Sequence, residues 1–190
     1  MDRAWANAAS NLHCTDPAPF LTELRSLEPR VASSQLPDKV KSLRTNALKE
    51  WRELREAAIF CYGMGQRIGQ TVYLARGESQ DYDFVASWIV GDIRHLAPVQ
   101  LKEVVPPNLN PAASLESMIE SLTKYVDSEE LTVAIHLNQA LRFEPKSVVV
   151  PRLRIAALWV FAALTEDESE WGLWGNFLEE PEGVRFAYPV

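Results

Sequence analysis

Two cysteines, three histidines and three methionines are spread over 190 residues, and only eight glycines. Cys14 and Cys61 fall in unlike contexts, and His13, His95 and His136 are scattered, so no zinc-ligand spacing of paired Cys or His is present and no disulfide framework is readable. Reduced thiols of a cytoplasmic protein are the expectation. No apolar run reaches the roughly 20 residues that a membrane span needs; the longest, Ile155 to Leu164, stops at about half of that. The first residues, MDRAWANAASNLHC, lack a basic segment followed by an apolar core and do not read as a secretory signal. A basic excess is missing too. Lys and Arg number 19 against 26 Asp and Glu, for a net charge of −7. Residues 1–105 are neutral and residues 106–190 carry the whole deficit. Proteins that grip nucleic acid through phosphates show a basic stripe, and only Lys39, Lys41, Arg44, Lys49, Arg52 and Arg55 come close, interleaved with Glu50, Glu53 and Glu56 as helical ion pairs would be.

What is present is an ordinary globular composition, 47% apolar with nine per cent aromatic residues, enough for one core. Asp16-Pro17 is a helix start signal, followed by Phe20, Leu21, Leu24 and Leu27 at helical spacing, and Leu36-Pro37-Asp38 breaks the pattern. The spacing predicts a long helix from about Lys39 to Tyr62 with Leu48, Trp51, Leu54, Ala58 and Cys61 along one stripe, stopped by Gly63, Gly65 and Gly69. Three extended runs follow: Gln70 to Ala75, Asp83 to Val90 and Pro98 to Val105, with short connections that suggest an antiparallel meander. Ser114 opens a second helix to about Val126, and Leu131 to Leu137 reads as a buried strand after a crossover. Arg154 to Leu164 is assigned to a strand. The remaining residues read as an acidic, tryptophan-rich tail with a short extended piece around Phe186. GMGQRIG follows a helix and lacks a Gly-Lys-Ser/Thr ending, so it is a helix stop and not a phosphate loop. His136 is expected as a satisfied core residue and His95 as a loop residue.

The chemistry-bearing pattern lies in the second and third runs. Asp83 opens one strand, and 17 residues later the next carries Gln100-Leu101-Lys102. With a side-chain period of two, Gln100 and Lys102 share a face and Glu103 takes the other. A carboxylate and an amide carbonyl are hard ligands for Mg²⁺, and an ammonium can assist an attacking water. The alternatives are structural: Asp83 capping a turn after Gln80-Asp81-Tyr82, and Gln100 and Lys102 on a solvated sheet face.

The order helix, strand, strand with Asp, strand with Gln-x-Lys, helix, strand resembles the PD-(D/E)xK nuclease superfamily, and VQLKEV resembles the Mrr-like variant in which glutamine replaces the acidic residue. The likeness spans about residues 46 to 137. It implies an α/β (α+β) fold, a mixed central sheet flanked by helices with a restriction-endonuclease-like αβββαβ core at 39–165, an N-terminal helical extension at 1–38 and an acidic tail at 166–190. It further implies a Mg²⁺ (or Mn²⁺) site of Asp83, Gln100 and Glu56, with Lys102 beside the attacking water, and nucleic acid as partner. Glu56 is equally readable as half of an exposed Arg52–Glu56 pair. The neutral Gln100 and the acidic second half suit a second reading, a catalytically inactive scaffold for a protein partner or a homodimer. No membrane partner is expected.

Overall fold

A computed structural model describes residue 9 and residues 11–41, 43–77, 82–126, 128–139 and 143–190. Within them runs an α+β fold built on a curled, mixed, eight-stranded sheet whose strands lie in chain order. The elements are β1 (Cys14–Thr15), α1 (Pro17–Ala32), α2 (Asp38–Lys41), α3 (Lys49–Ile68), β2 (Tyr73–Arg76), β3 (Phe84–Val90), β4 (Ile93–Val104), α4 (Leu115–Ser121), β5 (Ser128–Leu137), β6 (Ile155–Ala163), β7 (Glu170–Gly175) and β8 (Glu182–Ala187). β1 through β4 pair antiparallel, β5 runs parallel to β4 and β6 parallel to β5, and β7 and β8 return antiparallel. A tight turn at Gly91-Asp92 joins the antiparallel pair β3 and β4, while the parallel neighbour β5 is reached by a crossover that holds α4.

Asp16 caps α1, its side chain accepting from the Ala18 N–H at 2.9 Å. The long helix starts later than the periodicity predicts. Asn46–Leu48 forms a turn of tighter helix, and α3 begins at Lys49. It also runs past the expected stop. Gly63 and Gly65 lie inside it, and only Gly69, at φ 71° in the left-handed region, ends it. Gly63 is small for packing reasons, since a Cβ there would sit 2.7 Å from the Phe186 ring.

The sheet separates two apolar layers. On the α3 side lie Ala57, Phe60, Cys61, Leu74, Phe84, Val99, Leu101, Phe161, Trp171, Leu173 and Phe186. On the α4 side lie Val104, Leu115, Ile119, Leu122, Val133, Ile135, Leu158 and Val160. Alternation along β5 and β6 feeds both layers at once, which explains why Leu131 to Leu137 and Ile155 to Leu164 read as apolar runs. Trp51, expected in the buried stripe of the helix, is 52% exposed. The buried stripe turns instead through Ala57, Ala58, Phe60 and Cys61 and takes in Glu56.

Residues 166–190, expected as a tail, complete the sheet. β7 and β8 extend it beyond β6, Trp171 is fully buried, and its Nε1 donates to the Glu168 carbonyl at 2.9 Å. Arg55 of α3 binds the Glu168 carboxylate. Burial works against the charged guanidinium, but the facing Glu168 more than offsets it and holds the Arg55 pKa above its ordinary value. The acidity of this stretch is therefore partly an answer to cations on the helix. Of the turn expected at Gln80-Asp81-Tyr82, the first two residues lie outside the described ones. No helix among the described residues is long and apolar enough to cross a membrane.

Candidate functional site

The hairpin of β3 and β4 sets Asp83 against Gln100. Phe84 is the register partner of Val99, and the Asp83 N–H donates to the Val99 carbonyl at 2.9 Å. The Asp83 Oδ2 accepts the Leu101 N–H at 2.6 Å and a hydrogen bond from Gln100 Nε2. One carboxylate oxygen is thus fixed by the chain, and Oδ1 has no hydrogen bond from the described residues. With its amide nitrogen turned to Asp83, Gln100 has its carbonyl oxygen as the remaining acceptor. Asp83 lines a cleft of about 490 Å³ together with Glu50, Glu53, Leu54, Arg76, Phe84 and Leu101.

Lys102 is half-buried. It sits on β4 beside Ile135 of β5, as Gln100 sits beside Val133. Both partners belong to the α4-side layer, so Gln100 and Lys102 share that face, as the period of two requires.

Glu56 goes elsewhere. It is 4% exposed, not the outer half of a surface pair, and it meets His136, whose Nδ1 lies 3.2 Å from Glu56 Oε1. His136 is the register partner of Glu103, and ligand atoms of Glu56, Glu103 and His136 all fall within 4.8 Å of one another. These three residues occupy the α3 face, opposite Gln100 and Lys102. The expected set is therefore split: Asp83 and Gln100 meet at the hairpin, while Glu56 joins Glu103 and His136. The helix turns Glu50 and Glu53 to the cleft in its place. They sit one to two turns before Glu56, and a helical wheel alone could not choose among them.

The second group is closely held. Arg44 binds both Glu103 oxygens, at 2.8 Å through Nη1 and through Nη2 as well, and Asn138 Nδ2 donates to Oε1 at 2.8 Å. Burial pushes the Glu103 carboxyl up, but the hydrogen bonds from Arg44 and Asn138 outweigh it, and the group stays below its ordinary pKa. The His136 ring stacks on Phe161 at a 5.0 Å centroid distance and 13°. Arg52 Nε lies 3.9 Å from Glu56 and 3.8 Å from Glu103.

His136 is thus the satisfied core residue that its apolar context suggests. His95 departs from its expected loop. It lies on β4 and stacks on Trp88 at 5.2 Å. Much of the basic stretch is turned to internal partners: Arg44 to Glu103, Arg55 to Glu168, Lys49 to Glu53 at 3.3 Å, and Lys41 to the Ala32 carbonyl at 2.9 Å. Buried Cys61 has its thiol pKa pushed far up by desolvation, which makes it unreactive. Comparisons with models of protein families, with curated proteins and with solved structures find no match to this chain.

Proposed function

We propose that the protein is a nuclease-like hydrolase of phosphodiester bonds, working with a divalent cation at the mouth of the cleft beside Asp83. The observation that carries this reading is the pairing of Asp83 with Gln100 at the start of the β3–β4 hairpin, on the rim of an open cleft. The helix, three antiparallel strands, helix and parallel strand from α3 to β5 also follow the order of the PD-(D/E)xK core.

The donor set fits Mg²⁺ in part. Asp83 Oδ1 and the Gln100 carbonyl oxygen are hard ligands on two residues that touch, and Glu50 and Glu53 line the cleft with Asp83 in place of Glu56. The ion would supply positive charge to a phosphoryl oxygen and acidify a bound water. The chain's own part is orientation. The Leu101 N–H holds the Asp83 carboxylate in one pose, and the Lys102 ammonium shares Gln100's face, where it can bias a water toward its ionised form.

The test is cleavage of plasmid and single-stranded DNA with Mg²⁺ or Mn²⁺, wild type against Asp83→Asn and Lys102→Ala. Cleavage by wild type that drops at least a hundredfold in both variants, with circular dichroism unchanged, supports the reading. No cleavage by wild type overturns it.

A second reading is a catalytically inactive scaffold for a protein partner, and one observation favours it. Glu56 is withdrawn from Asp83 to His136, which leaves the neutral Gln100 paired with the aspartate. An absence of cleavage and of Mn²⁺ binding at Asp83 is the result this reading expects.

A further inference from the structure

Glu56, Glu103 and His136 come from three elements, α3, β4 and β5, and present one carboxylate oxygen each and an imidazole nitrogen within 4.8 Å of one another. An ion bonded to such donors at about 2.1 Å in a tetrahedral site sets them roughly 3.4 Å apart, so closure needs a movement of up to about 1.4 Å. The surroundings already orient the donors. Arg44 and Asn138 fix the Glu103 carboxylate, and Phe161 fixes the plane of the imidazole, the work that outer partners do in metal sites. Glu103 and His136 lie near the carboxyl ends of the parallel pair β4 and β5, where open sheets with parallel strands collect ligands.

An independent observation points to a small polar ligand. The Arg52 Nε is buried and has no hydrogen-bond acceptor, yet it is aimed between Glu56 and Glu103, 3.9 and 3.8 Å away. A buried donor without an acceptor calls for a water at that point, and a guanidinium left in this state is the loosely held member of the cluster.

We propose that Glu56, Glu103 and His136 form a binding site for a divalent transition-metal ion. The mixed nitrogen and oxygen donors favour Zn²⁺, Co²⁺ or Mn²⁺ over Mg²⁺ and Ca²⁺, which take oxygen alone. Charge sets the terms of entry. Arg44 and Arg52 already balance the two carboxylates, so the ion displaces a cation. Arg44 is hydrogen-bonded to both Glu103 oxygens and stays as an outer partner. Arg52 is hydrogen-bonded to neither carboxylate, has a side chain 23% exposed, and swings to solvent. The metal and Arg52 therefore compete. The ion ties α3 to the centre of the sheet, and with three protein ligands it keeps at least one position for water.

The site is separate from Asp83, on the opposite face from Gln100 and Lys102, and the experiment keeps the two apart. The full chain carrying Asp83→Asn is titrated with Zn²⁺ calorimetrically and with Co²⁺ by visible absorption. The expected result is one equivalent bound, with d–d bands of a mixed N/O site and a raised melting temperature. His136→Gln in that background weakens binding at least tenfold. Arg52→Gln tightens it at least threefold with circular dichroism unchanged, a gain that loss of a merely structural residue would not produce. Should His136→Gln not fold, the Arg52→Gln arm decides. No saturable binding by the Arg52→Gln protein, or binding that survives His136→Gln unchanged in a folded protein, overturns the proposal. DNA cleavage with Mg²⁺ tests Asp83 and leaves this site untouched.

Discussion

Gln100 and Glu103 stand three residues apart on one strand, on opposite faces of one sheet, and their surroundings are built on different terms. Among the described residues Gln100 has one side-chain partner, Asp83, which lies on the rim of an open cleft. Glu103 is enclosed by Arg44, Asn138, Arg52, Glu56 and His136. The enclosed region is costly to disturb, because each charge there was taken out of water against a specific partner. The rim region costs little, because water can replace any partner that is removed. More of the fold's stability therefore resides with the Glu103 side than with the Asp83 side.

The largest effect is expected from Glu103→Leu. It strands the Arg44 guanidinium, whose side chain is only 17% exposed, and should lower stability by about 3 kcal/mol, read as a urea midpoint at pH 7. Glu56→Ala follows at about 2 kcal/mol by the same measurement, since it leaves buried His136 without its acceptor. A loss below about half a kilocalorie in either variant would erase the contrast. Acid gives the sharper comparison. The Glu103 pKa in the folded chain lies below its ordinary 4.5, so its contribution is complete above that value and lost as pH falls through the folded pKa. Urea midpoints at pH 7 and pH 3.5 should therefore converge in Glu103→Gln relative to wild type. An unchanged acid slope would assign the acid sensitivity to other carboxylates. Gln100→Leu should cost less than about 1 kcal/mol, the worth of one exposed hydrogen bond. Smallest of all is Trp51→Ser on the exposed side of α3, expected within about half a kilocalorie in thermal melts.

Several elements were readable because their signals are local. Asp16-Pro17 places the start of α1, and the β-branched runs place β3, β5 and β6. The Ser114 capping box places α4, with reciprocal hydrogen bonds between Ser114 and Ser117. Other readings failed where the deciding partner is far away in the chain. Gly63 resembles a helix stop until Phe186 of β8 is found against it. Glu56 resembles a solvated residue until His136, 80 positions on, supplies its partner. Trp171 and Trp174 read as part of a tail until β6 supplies their pairing edge.

The sequence by itself determined much of the strand and helix texture and the placement of Gln100 and Lys102 on one face of β4, since each depends on periods of two or 3.6 along the chain. Only the tertiary structure decided which acids share a site. The parallel register of β4 and β5 sets Glu103 beside His136, the packing of α3 brings Glu56 to both, and the β3–β4 hairpin gives Asp83 to Gln100. Such meetings depend on contacts between segments tens of residues apart, and no period along the chain encodes them.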